Sequence, residues 1–284
     1  MNQKRVFMVG MGTMGAGIAQ VCAQAGHHVG VTDADEKILE RGFDQIVLSL
    51  LKMEEKGKLK EKRELILSRI ELAKSIDEAM DAELVIEAIY ENLQAKQKLF
   101  SKMSEICNEQ TIFGTNTSSL PITEISSTLR NPERVVGIHF FNPVHRMKLV
   151  EVVRGLATSD QTVAAAMEFV RSLDKEAVIV NRDSAGFIVN RINGMAFLEA
   201  LRLLERGIAT VQDIDKAIRL GLGYTLGPFE LMDLIGLDIV LNARLGIYEE
   251  TRDPNHYPPV VLRRMVKAGR LGRKSGNGFY DYSK

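Results

Sequence analysis

A histidine and a glutamate stand twelve positions apart, each in an apolar segment of the sequence. His139 lies in GIHFFNP and Glu151 lies in KLVEVVRG. A partly buried imidazole beside one carboxylate can titrate near neutral pH, which suits it to general acid–base chemistry. Because a buried carboxylate is costly unless it is paired, we predict that a hairpin through PVHRM brings Glu151 against His139. An ordinary core or rim histidine is the competing interpretation of this pattern.

A glycine-rich turn near the N-terminus indicates a second kind of chemistry, the binding of a phosphate. The turn consists of Gly10, Met11, Gly12, Thr13, Met14 and Gly15. It follows the strand-like run RVFMV and opens a helical pattern, a context in which glycines let a pyrophosphate approach the backbone. Asp33 stands 23 positions after Gly10, where a carboxylate can accept hydrogen bonds from ribose hydroxyls. No arginine follows Asp33 immediately, so the pattern predicts NAD rather than NADP. A glycine turn in an unrelated α/β protein is the alternative.

Polar side chains recur where the apolar, β-branched runs of the sequence end. These runs are RVFMVG, HHVGVTD, ELVIEAI, TIFGTN and RVVGIHFFN, and they end at Gly10, Asp33, Glu91, 116–119 and 139–142. Ligands of open parallel sheets bind beyond the carboxyl ends of the strands. We therefore expect the glycine, the carboxylates, the hydroxyl groups and the imidazole to share one edge of a sheet.

The alternation of these runs with helical segments is typical of a parallel sheet covered by helices. We predict a Rossmann-type, doubly wound α/β domain over residues 1–182. Within it, residues 36–72 carry two helical patterns separated by Gly57, which predicts a helical hairpin that projects from the sheet. From Asp183 onward only helical spacing remains, so residues 183–284 are predicted to form an all-helical domain. Its first long helix is apolar around much of its circumference, which indicates a homodimer or a larger homo-oligomer.

The composition limits the partners and the location of the chain. Its 284 residues include 37 basic and 37 acidic side chains, so it lacks the broad positive field that would attract nucleic acid or anionic membranes. No apolar run is long enough to span a bilayer, and the N-terminus lacks the cleavage site of a signal peptide. Cys22 and Cys107 suggest neither a metal-ligand cluster nor a disulfide framework. We expect a cytoplasmic protein with reduced thiols and no metal.

The sequence closely resembles the short-chain L-3-hydroxyacyl-CoA dehydrogenases, and within them the bacterial 3-hydroxybutyryl-CoA dehydrogenases. The matching segments span essentially the whole chain and read GMGTMGAGIAQ, EAIYENLQAKQKLF, TNTSSLPIT, GIHFFNPVHRMKLVEVV, SAGFIVNRI, GLGYTLGPFELMDLIGLD and GRKSGNGFYDY. The resemblance implies a Rossmann-type domain followed by a helical dimerisation domain. It also implies an NAD-dependent oxidoreductase that interconverts (S)-3-hydroxybutyryl-CoA, or another short-chain 3-hydroxyacyl-CoA, and its 3-ketoacyl form, such as acetoacetyl-CoA.

The resemblance implies roles for individual residues as well. His139 would be the catalytic base and Glu151 its partner, while Ser118 and Asn190 would complete the catalytic set and hold the substrate. Beside the glycine turn, the cofactor would contact Asp33, Glu91, Lys96, Ser118, Asn142 and Lys274. The coenzyme A portion of the substrate would contact Ser49 and Lys56. Without the family, the alternatives are that Ser118 caps the helix or turn after its strand, that Asn190 is an exposed helix residue, and that Lys56 and Lys274 are solvated surface lysines.

Two competing functions share part of this pattern. One is an NAD-linked dehydrogenase of a free 3-hydroxy acid, a type that usually takes a lysine base from its helical domain. The other is a non-catalytic nucleotide-binding protein, which would be expected to lack His139 or Glu151, whereas both are present.

Because Asn190 belongs to the helical segment, the resemblance predicts a site that closes between the two domains.

Overall fold

The computed structural model of the chain describes residues 3–283 and divides into two compact units. The first unit ends at Ser184 and the second begins at Ala185. Each unit buries a hydrophobic core of its own. Within residues 3–283, no helix has both the length and the apolar character needed to cross a bilayer.

A single eight-stranded sheet forms the centre of the first unit. Its strands are β1 (Arg5–Val9), β2 (His28–Thr32), β3 (Ile70–Leu72), β4 (Leu84–Glu87), β5 (Ile112–Thr115), β6 (Val135–Phe140), β7 (Leu149–Val153) and β8 (Glu176–Val180). They lie in the order β3-β2-β1-β4-β5-β6-β7-β8, and all neighbours are parallel except β6 and β7. The chain starts at a central strand and winds outward in both directions, so the predicted Rossmann-type fold is confirmed.

Helices cover the sheet because their apolar side chains recur on one face. Those of the first unit are α1 (Thr13–Gln24), α2 (Glu36–Glu55), α3 (Arg63–Leu67), α4 (Leu93–Ile106), α5 (Ile122–Ser126) and α6 (Asp160–Ser172). Met8 of β1, Ile18 of α1, Val31 of β2 and Ile86 of β4 are completely buried in the shared core. This packing fixes the strand ends and the helix starts relative to each other.

Two edge strands carry little sequence signal. After Gly57 the chain forms only the five-residue helix α3 and then β3, so residues 36–72 contain less helix than the predicted hairpin. β3 pairs with β2 through Ile70 and Val29, and three residues are too few to show a period-two pattern. At the other edge, β8 leaves Val178 and Ile179 exposed on both of its faces, which conceals the alternation of a strand.

The second unit is helical, as predicted. Its helices are α7 (Val189–Glu205), α8 (Val211–Leu222), α9 (Pro228–Ile235), α10 (Leu237–Thr251) and α11 (Val260–Lys267), together with one-turn helices at Pro254–His256 and Arg273–Ser275. Phe229, Met232 and Leu237 are completely buried in its core. The carboxylate of Asp233 is also buried, and it accepts hydrogen bonds from two backbone N–H groups of the terminal segment, at Phe279 (3.0 Å) and Tyr280 (2.9 Å). The end of the chain is thereby fixed against α9.

Candidate active site

The glycine turn between β1 and α1 has the shape that a pyrophosphate site requires. Gly10 has a φ of +94°, and a Cβ added there would lie 2.8 Å from the carbonyl oxygen of Ala88. A Cβ on Gly15 would lie only 1.8 Å from the carbonyl oxygen of Gly10, so neither position admits a side chain. A Cβ on Gly12 would meet no atom of the described residues within 4 Å. The turn is therefore tight on its protein side and open at Gly12, next to the start of α1.

The carboxylate of Asp33 is held by the same turn. Its Oδ2 accepts a hydrogen bond from the backbone N–H of Met11 at 2.8 Å, and its Oδ1 accepts one from Asp35 at 3.0 Å. Each oxygen retains a further acceptor position, because a carboxylate oxygen can accept more than one hydrogen bond. The anchored carboxylate at the end of β2 and the open glycine turn together fit the ribose and pyrophosphate of NAD.

His139 and Glu151 meet in the sheet, as the sequence pattern predicts. They face each other across the antiparallel pair of β6 and β7, and His139 Nδ1 lies 2.8 Å from Glu151 Oε2. The residues are 5% and 0% exposed. The Phe141 ring lies 4.6 Å from the imidazole, between ring centres. With Nδ1 donating its proton to the carboxylate, Nε2 of the neutral ring is the nitrogen that can take up a proton.

Glu91 accepts three hydrogen bonds from the turn that carries Ser118. One carboxylate oxygen accepts hydrogen bonds from the Thr117 hydroxyl (2.5 Å), the Ser119 hydroxyl (3.0 Å) and the Ser118 backbone N–H (3.2 Å). Burial raises the pKa of Glu91, but the Lys96 ammonium and these hydrogen bonds outweigh it, so the pKa lies below its ordinary value. The carboxylate stays ionised at neutral pH and keeps the Ser118 turn in one conformation.

A buried ion pair lies beneath this turn and was not predicted. Lys96 of α4 is 1% exposed, and its Nζ lies 2.9 Å from both oxygens of the fully buried Glu87 and 3.3 Å from Glu91. The Thr115 hydroxyl also donates to Glu87. The two carboxylates engage the Lys96 ammonium. The direct contact between Lys96 and the cofactor that the family implies stays a prediction. The signal for Glu87 was its charge inside the apolar run ELVIEAI, since β4 ends there rather than at Glu91.

Two asparagines lie at the ends of the strands that border the histidine. The side-chain oxygen of Asn116, after β5, accepts a hydrogen bond from the Phe140 N–H at 2.9 Å and so holds the end of β6 in place. Asn142 is exposed at the start of the β6–β7 connection, before a cis bond to Pro143. The structure thus places Asn142 on the rim where a cofactor contact is predicted.

The predicted residues of the second unit lie near the ends of its helices. Asn190 is half-buried in the first turn of α7, and its carbonyl oxygen accepts a hydrogen bond from Arg244 Nη2 at 3.0 Å. Burial lowers the pKa of Arg244 to about 10. Lys274 is exposed and forms an ion pair with Asp238, with Nζ 2.6 Å from Oδ2. Their predicted roles toward substrate and cofactor stay predictions.

The two residues predicted to contact coenzyme A lie on the long helix of the first unit. Ser49 is half-buried on α2, and Lys56 is exposed at its C-terminal cap. A spacing of seven residues places both on one face of a helix. In the described part of the chain, no group of three or more His, Cys, Asp or Glu side chains could hold a metal ion.

Comparison with known proteins gives matches over both units. The sequence family described as 3-hydroxyacyl-CoA dehydrogenase, NAD binding domain, matches residues 5–184, and the C-terminal domain of the same enzymes matches residues 186–282. A probable 3-hydroxybutyryl-CoA dehydrogenase of Bacillus subtilis is 42% identical over 283 residues, which cover 99% of this chain and 98% of the relative.

Solved structures are similar over the same length. The crystal structure of (S)-3-hydroxybutyryl-CoA dehydrogenase from Ralstonia eutropha is 40% identical, with a TM-score of 0.95 and complete coverage of both chains. The crystal structure of Mycobacterium tuberculosis FadB2 is 39% identical, also with a TM-score of 0.95, and the alignment covers 99% of this chain and 100% of that one. The similarity therefore spans the dinucleotide turn, the histidine strand and the helical unit.

Proposed function

The chain belongs to the 3-hydroxyacyl-CoA dehydrogenase family of NAD-dependent oxidoreductases, and we propose that it interconverts (S)-3-hydroxybutyryl-CoA and acetoacetyl-CoA. The observation that carries this proposal is the contact between His139 and Glu151 in the unit that contains the glycine turn. A proton-handling pair and a dinucleotide site in one sheet are what the oxidation of an alcohol requires. The names of the full-length relatives support the short acyl chain.

His139 handles the proton of this reaction. In the oxidative direction Nε2 takes the proton of the 3-hydroxyl group, and in the reductive direction the imidazolium returns it to the 3-keto oxygen. NAD, held at the glycine turn and Asp33, would supply the hydride chemistry at the same carbon. Glu151 stabilises the imidazolium through the 2.8 Å contact to Nδ1, and the completely buried carboxylate cannot turn away toward solvent.

Ser118 and Asn190 orient the substrate in this proposal. The Ser118 turn is fixed by the Glu91 carboxylate, and a fixed hydroxyl donor can stabilise charge that develops on a substrate oxygen. Removal of one such donor costs about 10²- to 10³-fold in turnover. Asn190 lies in the first turn of α7, where Arg244 holds its backbone carbonyl. Ser49 and Lys56 on α2 would contact the coenzyme A portion.

A comparison of two substrates tests the proposed function. NADH oxidation is measured with acetoacetyl-CoA and, at the same concentration, with free acetoacetate. We expect turnover with the thioester and at least about 100-fold lower kcat/KM with the free acid, because the coenzyme A contacts contribute binding energy only to the former. Preference for the free acid would indicate a hydroxy-acid dehydrogenase, and activity with neither would indicate a non-catalytic nucleotide-binding protein.

We also propose that the chain acts in the cytoplasm as a homodimer or larger homo-oligomer. Ile192 on α7 is 67% exposed and Leu220 on α8 is 77% exposed. An apolar cleft of about 210 Å³ lies between α7, α8 and α9, and Leu222 and Tyr224 line it. Side chains of this kind favour burial against a second copy. Light scattering that gives the mass of one chain would contradict the oligomer, and Leu220→Asp is expected to weaken it.

A further inference from the structure

The connection between β6 and β7 links the strands of the catalytic pair and carries Asn142, the predicted cofactor contact. Residues 141–148 join the strand of His139 to the strand of Glu151, and Asn142 lies at the start of this connection. The N–H groups of Arg146 and Met147 both donate to the carbonyl oxygen of Pro143 at 3.0 Å. The connection is therefore one tight turn, and a displacement of this turn would move the cofactor rim and the catalytic hairpin together.

A buried lysine from outside the connection holds this turn. Lys175, between α6 and β8, is 7% exposed, and its Nζ donates to the carbonyl oxygens of Val144 and Met147, each at 2.7 Å. Carbonyl groups at the end of a helical turn lack partners within the turn, and buried ones need a donor. Both of these hydrogen bonds connect the ammonium to the turn.

The same turn packs against the helix that follows the glycine turn. Val144 is buried, and a Cβ added to Gly17 of α1 would lie 2.8 Å from Val144 Cγ2. The Val144 side chain therefore fills the space beside Gly17, and a side chain at residue 17 would have to displace it. α1 starts at the glycine turn, so the position of Val144 and the position of the pyrophosphate site are mechanically linked.

We propose that Lys175 is a positioning residue of the dinucleotide site, which fixes the Val144 turn against α1 and thereby sets the position of Asn142 relative to the glycine turn. This inference rests on the proposed function for its choice of cofactor. Lys175 does not touch the reacting atoms, so its effect is expected on cofactor affinity more than on the chemical step.

A neighbouring lysine provides a matched control. Lys148 lies on the same connection, but its ammonium is exposed and binds Asp174, at 2.9 Å from the carbonyl oxygen and 3.1 Å from the carboxylate. It makes no contact with the carbonyl groups of the turn, so its loss should leave the turn in place. Lys175→Arg retains a cation and several donors, and it tests whether donors at this position are sufficient.

The experiment measures NADH binding by isothermal titration calorimetry, together with kcat, KM and the melting temperature. Lys175→Met is expected to raise the Kd and the KM for NADH about tenfold, through the loss of two hydrogen bonds, while kcat at saturating NADH falls less than about threefold. Lys148→Met should leave the Kd within about twofold of the wild type, and Lys175→Arg should recover part of the affinity.

Two outcomes would overturn the proposal. One is a Lys175→Met protein with a lower melting temperature and an unchanged Kd for NADH, and the other is an equal loss of affinity in Lys148→Met. If Lys175→Met does not fold, Gly17→Ala displaces Val144 from the opposite side, and an unchanged Kd there would also overturn it. A wild type that binds NADH without turning over acetoacetyl-CoA would contradict the proposed function, while the ratio of Kd values would still decide the role of Lys175.

Discussion

Two buried carboxylates lie in the same sheet and differ in the side chain that each one binds. Glu151 of β7 contacts the imidazole of His139 at 2.8 Å, and Glu87 of β4 contacts the ammonium of Lys96 at 2.9 Å. Both carboxylates are completely buried. An ammonium is a compact point charge with three donors, whereas the charge of an imidazole changes within the physiological pH range. We infer that the lysine pair holds structure in place and the histidine pair moves a proton.

The contacts around Lys96 support a structural role for the lysine pair. Around Lys96 the partners are Glu87, Glu91 and the Ile89 carbonyl, so the ammonium fixes the segment between β4 and α4. Glu91 in turn fixes the Ser118 turn. A buried charge pair is not by itself a sign of catalysis. The difference lies in the partner, since an imidazole is a common general acid–base group, whereas the Lys96 ammonium is engaged by two carboxylates.

The largest effect is expected for His139→Gln. We predict a loss of turnover of about 10²- to 10⁴-fold, because the general base is removed, with NADH affinity unchanged. The glutamine amide can still donate to Glu151, so the buried carboxylate keeps a partner. Steady-state NADH oxidation with acetoacetyl-CoA and a calorimetric Kd check this prediction. Wild-type turnover in this variant would break the distinction between the two pairs.

The second-largest effect is expected when Lys96 is replaced, and it should lower the stability of the protein. Lys96→Met leaves Glu87 buried without its cation, and loss of one partner of a buried ion pair typically lowers the free energy of unfolding by about 3–5 kcal/mol. The double variant Lys96→Met/Glu87→Gln should regain part of this loss, since a neutral amide is less costly to bury. Urea unfolding measures both. A stable Lys96→Met protein with a turnover as low as that of His139→Gln would reverse the roles.

Much of the site could be predicted because its residues end strands or follow glycines. The spacing from the glycine turn to Asp33 and the apolar setting of Glu151 follow from local geometry, and the structure anchors Asp33 to Met11 and pairs Glu151 with His139. The order of layers and the helical second unit also follow from hydrophobic periodicity.

The supporting contacts could not be predicted because they join different elements, whose relative placement the sequence pattern does not define. Lys175 donates to carbonyl oxygens 28 and 31 positions away. No pattern of residue types in a sequence indicates that a lysine donates to backbone carbonyl groups. Glu87 and Lys96 lie nine positions apart on a strand and a helix, with a turn of undefined length between them. Edge strands such as β3 were missed because pairing, and not side-chain pattern, defines them.

A second buried histidine, His27, lacks such a pair within the described residues, and the least change is expected there. His27 accepts a hydrogen bond from the Lys4 N–H at 3.1 Å and contacts the Ser172 hydroxyl at 2.8 Å, with no carboxylate bonded to it. Burial and the nearby Lys4 charge lower its pKa, while Glu83 raises it to a smaller extent. The unfolded chain therefore binds the proton more readily, and the contribution of His27 to stability is lost as pH falls below about 6.5.

We predict that the wild type loses more stability than His27→Gln between pH 7.5 and pH 5. Urea unfolding of both proteins at the two pH values measures the difference. Equal losses in the two proteins would show that burial and the Lys4 charge do not disfavour the charged form of His27.

We expect His139 and Glu151 to act as one unit, and a double-mutant cycle is the sharpest experiment on this claim. The turnover of acetoacetyl-CoA with NADH is compared among the wild type, His139→Gln, Glu151→Gln and the protein with both substitutions. Because the carboxylate acts only through the imidazole, we predict that Glu151→Gln lowers turnover about 10²-fold in the wild type but hardly at all once His139 is replaced. Losses that multiply in the double variant would contradict the claim.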